Sequence, residues 1–297
     1  MGPLRGVTSL ATPPRTFVTG GSGFVGRALV ASADRPLRAL VHRTPIGNGH
    51  ETIQGDLLAS ETPWAACFDG MERLLHAARP SSNTDRGRRR VAKRTAVANE
   101  AMLTAAEASG VHALAVHGSL SYGECGAMLV TPDAPVNPIG YAEAYAIGEA
   151  PWRDRIGPSC TVVRAPWILG QGSWFPMLYG GSTVPRFGDG NMWMSVVDMD
   201  AFAPWLWTVL DAAPGGVVHP PLLARCRQRD FAEAVATLRG VEVVPWSENR
   251  TKRTYGRQAA ASMFASLRMD DGRGDASEQV SSLNGLQDVL QSVLGRS

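Results

Sequence analysis

The stretch 19–29, TGGSGFVGRAL, sets Gly20, Gly23 and Gly26 three residues apart, between an apolar strand-like run and a run with helical spacing. Glycines in that pattern have separate jobs. The first permits a tight turn, the second lets backbone approach a pyrophosphate, and the third lets the helix pack closely on the strand. The anion then lies on the helix N-terminus, among N–H groups that have no intrahelical partner. Ser22, Phe24 and Val25 belong to the same turn. A dinucleotide is the expected cofactor, and its type is read at the next strand. An NAD site places Asp or Glu at that strand's end, to accept from the ribose hydroxyls. Here LRALVH (37–42) runs into His42 and Arg43, with no acid before Glu51. A 2′-phosphate suits guanidinium, so Arg43 and Arg27 predict NADPH, released as NADP+.

A second stretch, 141-YAEAYAIGE-149, spaces Tyr141, Tyr145 and Glu149 four residues apart. That spacing puts two phenols and a carboxylate on one helix face. His76 and His117 end strands and could donate protons, although strand-end histidines are more often structural. Glu124, Asp133 and Glu143 are candidate acids or bases that read more naturally as solvated charges. Arg79 could hold an acidic group of substrate or cofactor. The four cysteines, Cys67, Cys125, Cys160 and Cys226, lie far apart with no CxxC or His/Cys cluster, so no metal site is expected.

These residues need a scaffold, and the first half supplies one by alternation. RTFVTG (15–20), LRALVH (37–42), RLLHAA (73–78), ALAVHGS (113–119) and SCTVVRAP (159–166) read as strands, and 23–32, 91–110 and 140–153 as helices. The pattern predicts an α/β fold: a Rossmann-type, doubly wound parallel sheet with helices on both faces. Ligands in such sheets bind beyond the carboxyl ends of the strands. The second half differs. Residues 171–194 mix Trp174, Phe175, Met177, Met192, Trp193 and Met194 with glycine and proline, and helical spacing returns at 200–212, 229–239 and 282–294. The expected layout is a flexible tail (1–14), an NADP-binding domain (15–172, with a return segment at 195–212), and a smaller C-terminal substrate-binding domain or lid (173–194 and 213–297). Within the last, 247–278 is compositionally loose and reads as mobile.

The glycine spacing resembles the short-chain dehydrogenase/reductase superfamily, and further pieces match its extended branch in order over about 15–210. Asp56-Leu57 in GDL resembles the pair beside the adenine. HAAR (76–79), with Ala77, Ala78 and Arg79, resembles the strand end beside the nicotinamide ribose. GSLSYG (118–123) is similar to the serine-bearing turn, RAPWILG (164–170), with Pro166, to the segment lining the nicotinamide, and SVVDMDAFA (195–203) to the strand-to-helix return. The resemblance implies a helix whose Tyr protonates a carbonyl, a Lys four residues on that supports it, and a Ser or Thr that binds the substrate oxygen. Tyr141 takes the tyrosine's place, and Glu149 matches an acid common eight residues later. Ser119 takes the serine's place, with Ser121 as the alternative because the turn is one residue short. Tyr145 stands where the lysine should be.

Without lysine, phenolate is scarce at neutral pH, since a free phenol titrates at about 10. Alcohol oxidation needs phenolate as base, whereas ketone reduction needs neutral phenol as acid, so the loss harms oxidation more. It also removes stabilisation of the developing alkoxide, a matter of a few kcal/mol when one such donor is lost. A ketone flanked by its own phenol would compensate. Trp167, Trp174, Phe175, Met192 and Trp193 offer flat aromatic and pliable thioether surface, or else the core of the smaller domain. The combination resembles the atypical ketoreductases of aromatic polyketide pathways, which implies a polycyclic aromatic ketone substrate and a role in antibiotic biosynthesis. Two other readings stand beside it. One is a non-catalytic NADP-binding sensor or scaffold, and the other is dehydration, isomerisation or enone reduction on the same fold.

The bulk composition, 44% hydrophobic and 19% charged with net charge +2, is that of a globular chain. It argues for neither nucleic acid nor anionic membrane as partner. Apolar runs are too short to span a bilayer, and the first residues lack a secretory pattern. The expectation is a cytoplasmic monomer or homodimer.

Overall fold

The computed structural model describes residues 15–47, 49–170, 172–272 and 281–294; the tail expected at 1–14 lies outside them. The chain begins β1 (Thr16–Thr19), α1 (Phe24–Ala31), β2 (Leu37–Val41), β3 (Glu51–Gln54), α2 (Trp64–Phe68), β4 (Arg73–His76), α3 (Asp85–Ala108) and β5 (His112–Gly118). It continues through β6 (Leu129–Val130), α4 (Ala142–Gly148), α5 (Ala150–Arg153), β7 (Cys160–Ala165), β8 (Trp167–Leu169), α6 (Phe175–Tyr179), β9 (Val184–Phe187), β10 (Trp193–Asp198), α7 (Met199–Ala212) and β11 (Gly216–Val218). The rest is β12 (Ala224–Arg227), α8 (Gln228–Arg239), β13 (Val243–Trp246), α9 (Glu248–Tyr255), α10 (Arg257–Met263), β14 (Arg268–Met269) and α11 (Ser281–Leu294).

Seven strands form one sheet in the order β11-β7-β5-β4-β1-β2-β3, and every pairing in it is parallel. The order reverses between β1 and β4, and that crevice is where a doubly wound sheet holds its ligand. Alternation along each strand feeds two cores. Val18, Leu75 and Val163 face one side, with Leu29 of α1 and Phe202 and Trp207 of α7. Phe17, Leu74 and Val162 face the other, with Phe68 of α2, Met102 of α3 and Trp152 of α5. A third cluster joins Leu169, Phe175, Phe187, Phe231, Met263 and Leu290 from the C-terminal elements. Each fully buried large side chain there contributes roughly 1.5–3 kcal/mol.

Three sequence expectations change. Helix α3 starts at Asp85, not 91, because the Thr84 side chain accepts from Gly87 N at 3.1 Å; its first turns are arginine-rich and carry no apolar period. The helix expected over 140–153 is two, with Pro151 at the start of the second. The segment expected to be mobile holds α9 and α10. Ser247 Oγ caps α9 by accepting from Arg250 N at 3.2 Å, while Thr251, Ala259, Ala260 and Met263 are buried. Its polar composition hid a few well-placed inward residues; 273–280 lie outside the described residues.

Candidate active site

At the end of β1, Gly20 takes φ +79°, and a Cβ there would stand 2.4 Å from Ala78 N. A Cβ on Gly26 would stand 1.9 Å from Gly20 O. The turn is therefore closed to any side chain at either position, and Ala77 and Ala78 pack directly on it. Gly23 is the N-cap of α1, with no side-chain cap. This leaves a backbone cradle at a helix N-terminus, the donor set a pyrophosphate takes. Arg27 arches over it, donating from Nη1 to Ser22 O at 3.0 Å. Phe24 and Val25 pack their side chains against the α1–α7 core, so any contact they make with an anion is through backbone.

Beyond β2, His42 and Arg43 are exposed, and Gln54 Nε2 bonds His42 O. No carboxylate ends β2. The Asp56 carboxylate accepts from Leu58 N at 3.0 Å, which holds its own turn. Leu57 is buried in the core. Pro166 is buried between β7 and β8.

Tyr141 is the N-cap of α4, and Tyr145 lies one turn further on within the helix. Tyr141 packs against the C-terminal cluster, as do Trp167, Trp174 and Met192. Tyr145 Oη shares a 2.9 Å hydrogen bond with Ser81 Oγ, and Arg79 lies 4.6 Å above its ring. Tyr141 also carries a guanidinium, that of Arg88 from α3, at 4.9 Å. The chain has two lysines, Lys93 and Lys252. Lys252 pairs with Glu248 at 2.7 Å and Lys93 is exposed on α3, so neither serves these tyrosines. Positive charge arrives instead from arginines, Arg79 over Tyr145 and Arg88 over Tyr141.

The two serines separate. Ser121 is 2% exposed and is committed to a buried network: it donates to Glu149 Oε2 at 3.2 Å and accepts from Arg164 Nη1 at 2.9 Å. Arg164 Nη1 also reaches Glu149 Oε2 at 2.8 Å. A substrate-binding role for Ser121 is thus corrected to a structural one. Ser119, at the same strand end, has no protein hydrogen-bond partner among the described residues and remains the available hydroxyl. Burial opposes charge on Glu149, but His117, Arg164 and Ser121 outweigh it and hold the carboxyl below its ordinary range. His117 lies 3.5 Å from that carboxylate. Burial pushes it down to about 4 all the same, so at neutral pH the standing countercharge is Arg164. Burial takes His76 to about 3, and its Nδ1 shares a 2.7 Å bond with Thr19 Oγ1. Both histidines are neutral spacers packed around Trp152. A lone arginine inside the apolar run TVVRAP was the signal for this network, since such a charge must find a buried partner.

The aromatic wall is smaller than expected. Trp167 and Trp174 meet edge to face at 4.5 Å, with Met192 beside them. Phe175 is 0% exposed, stacked on Tyr179 at 5.5 Å, and belongs to the core. Trp193 falls on the opposite side of β10 from Met192 and Met194, as strand alternation requires, and lies between Arg227 at 3.9 Å and Arg268 at 5.0 Å. The candidate acids are engaged as well. Glu124 accepts from Ser266 N at 2.7 Å and Gly126 N at 3.0 Å; Glu143 faces Arg89 at 3.5 Å; Asp133 accepts from Thr131 Oγ1 at 2.5 Å. A cavity of about 350 Å³ is lined by Phe24, Arg27, Gly170, Asp198 and Val293 among others, and Tyr141 does not line it. No group of His, Cys, Asp and Glu among the described residues could hold a metal ion. No helix among them is long and apolar enough to cross a membrane.

A parallel doubly wound sheet, a glycine turn shut to side chains and a tyrosine helix beyond the strand ends define a dinucleotide-binding α/β protein. The family model for the NAD dependent epimerase/dehydratase family matches residues 16–219, and the chain belongs to that family. Solved structures of similar fold include the dTDP-glucose 4,6-dehydratase DesIV of Streptomyces venezuelae with NAD bound, at 20% identity and TM-score 0.65, covering 93% of this chain and 96% of that one. MoeE5 in complex with UDP-glucose and NAD aligns at 17% identity and TM-score 0.70, covering 95% and 100%. A dTDP-4-dehydrorhamnose reductase of Clostridium acetobutylicum aligns at 16% and 0.69, covering 94% and 99%. No curated protein matches the sequence.

Proposed function

We propose that the chain is an NADPH-dependent ketoreductase acting on a polycyclic aromatic ketone, of the kind that tailors aromatic polyketide antibiotics. We liken it to the angucyclinone ketoreductase of simocyclinone biosynthesis. The observation that carries this reading is that Tyr141, Trp167, Trp174 and Met192 all pack on one apolar cluster. The Tyr141 ring therefore belongs to an aromatic-rich apolar region.

Gly20, Gly23, Gly26 and Arg27 would hold the diphosphate, and Arg43 the 2′-phosphate, with Ala77, Ala78 and Arg79 beside the ribose. When bound, NADPH supplies the hydride that reduces the carbonyl carbon. Tyr141 gives its proton to the carbonyl oxygen, the electron pair stays on the phenol oxygen, and water returns a proton before the next turnover. Ser119 donates a hydrogen bond to the same substrate oxygen. The engagement of Glu124, Asp133 and Glu143 by the protein itself favours reduction over an elimination that needs a free carboxylate base.

The test is incubation with NADPH and either α-tetralone or its peri-hydroxy derivative, following loss of reduced-cofactor absorbance. Turnover of either ketone is the expected result. NADPH binding with no consumption of either ketone would replace this reading with that of a sensor. In Tyr141→Phe a fall in turnover of about a thousandfold marks the phenol as the acid. Retention of most activity on the peri-hydroxy ketone alone assigns the proton to the substrate.

A further inference from the structure

Tyr145 fills the lysine position, yet the proton-donating ring has a cation on its face. The Arg88 guanidinium lies 4.9 Å from the Tyr141 centroid, and its side chain is 11% exposed. Arginine on a helix normally keeps its head in water. Here the head is tied down on three edges. Nε donates to Gln258 Oε1 at 3.0 Å and Nη1 to Ser82 O at 3.0 Å. Nη2 pairs with the Asp85 carboxylate. Asp85 is 62% exposed, so water screens its opposing charge, while the guanidinium lies over a half-buried ring.

One element of the C-terminal half arranges both partners. Gln258 and Ser262 stand four residues apart on α10, on one face. Ser262 Oγ accepts from Tyr141 N at 3.2 Å while Gln258 holds Arg88. The approach is close enough to demand glycine at 140, where φ is +60° and a Cβ would stand 2.3 Å from Ser262 Oγ and 2.7 Å from Gln258 O. A second guanidinium, Arg79, sits one helical turn along, over Tyr145.

We propose that Arg88 is the positioning residue that stands in for the missing lysine. It acts through the face of Tyr141, fixing the ring and opposing the negative charge left on the phenol oxygen once the proton has gone to substrate, and Gln258 sets its place. This rests on the ketoreductase reading above.

The experiment is a double-mutant cycle on the NADPH-dependent reduction of α-tetralone, with NADPH affinity followed separately by fluorescence. Arg88→Ala is expected to lower kcat roughly tenfold, the scale of one well-placed cation–π contact, with KM and NADPH affinity little changed. The same substitution in a Tyr141→Phe background is expected to cost nothing further, because no phenol oxygen remains to stabilise. Added guanidinium salt restores part of the Arg88→Ala rate, and Arg88→Lys retains more rate than Arg88→Ala. Should Arg88→Ala fail to fold, Arg88→Lys and Gln258→Leu carry the cycle, each expected to slow the wild-type background and not the Phe background. An equal loss in both backgrounds makes Arg88 a merely structural residue and overturns the proposal, as does a kcat within twofold of wild type. Wild-type protein that consumes no NADPH with any ketone overturns the parent reading as well, an outcome distinct from these.

Discussion

Removing Arg164 probes the buried network beneath the site. The residue is 1% exposed, Glu149 is 7% exposed, and their contact is 2.8 Å. Arg164→Met keeps the volume and deletes the charge, leaving Glu149 with only Ser121 and a neutral His117. Breaking a buried pair from one side costs about 3–5 kcal/mol, against about 5–15 kcal/mol that holds a typical domain together. In urea unfolding followed by circular dichroism, that loss lowers the midpoint by about 1–2 M. The double substitution Glu149→Gln/Arg164→Met removes both charges and should recover most of the deficit, because a neutral pair owes little desolvation. A third arm uses pH. In the wild type Glu149 is held below its ordinary value, so it adds stability above that value and loses it as pH falls. In Arg164→Met desolvation dominates and the carboxyl accepts a proton, so the gap between variant and wild type should narrow toward pH 5. A single substitution costing under 1 kcal/mol, or a double variant no more stable than the single one, would refute this account.

Other expectations are simpler. Gly26→Ala puts a methyl where Gly20 O already lies, 1.9 Å away, so NADPH affinity measured by fluorescence should fall more than about tenfold. Arg43→Asp should move the NADPH:NADH preference in steady-state kinetics by about ten- to a hundredfold toward NADH, the worth of one or two charge-assisted hydrogen bonds. Burial holds His76 at about 3 and His117 at about 4, each against 6.5 in the free chain. The unfolded state therefore takes up protons first, and stability present above 6.5 drains as pH falls toward 4. By pH 5 the loss is on the order of 2 kcal/mol per histidine, and urea midpoints that do not change between pH 7 and 5 would contradict it.

The sheet was readable because apolar runs, glycine stops and the alanine-rich α3 all obey local rules. The phosphate turn was readable because Gly20 and Gly26 admit no alternative. What escaped depends on long-range pairing. Nothing in TDRGRRR distinguishes Arg88 from its solvated neighbours, because its partner Gln258 comes 170 residues later. Ser121 and Ser119 look alike in GSLSYG, and only the arrival of Arg164 separates them. Phe175 and Trp193 carry the right chemistry for a flat ligand, but packing and strand alternation turned both elsewhere. Helices α9 and α10 escaped because their inward residues are few and, Met263 apart, small.

The docking of α10 on Gly140 and Tyr141 has a consequence for order. The glycine turn and its neighbouring strands lie far ahead of Gln258 and Ser262 in the chain, and so leave the ribosome before them. A nascent chain therefore completes the glycine turn before α10 can fix Tyr141, the proton donor of the proposed reaction. If the proposed reaction holds, binding and turnover are thereby separated in time, and a product truncated ahead of Arg257 would bind cofactor without spending it.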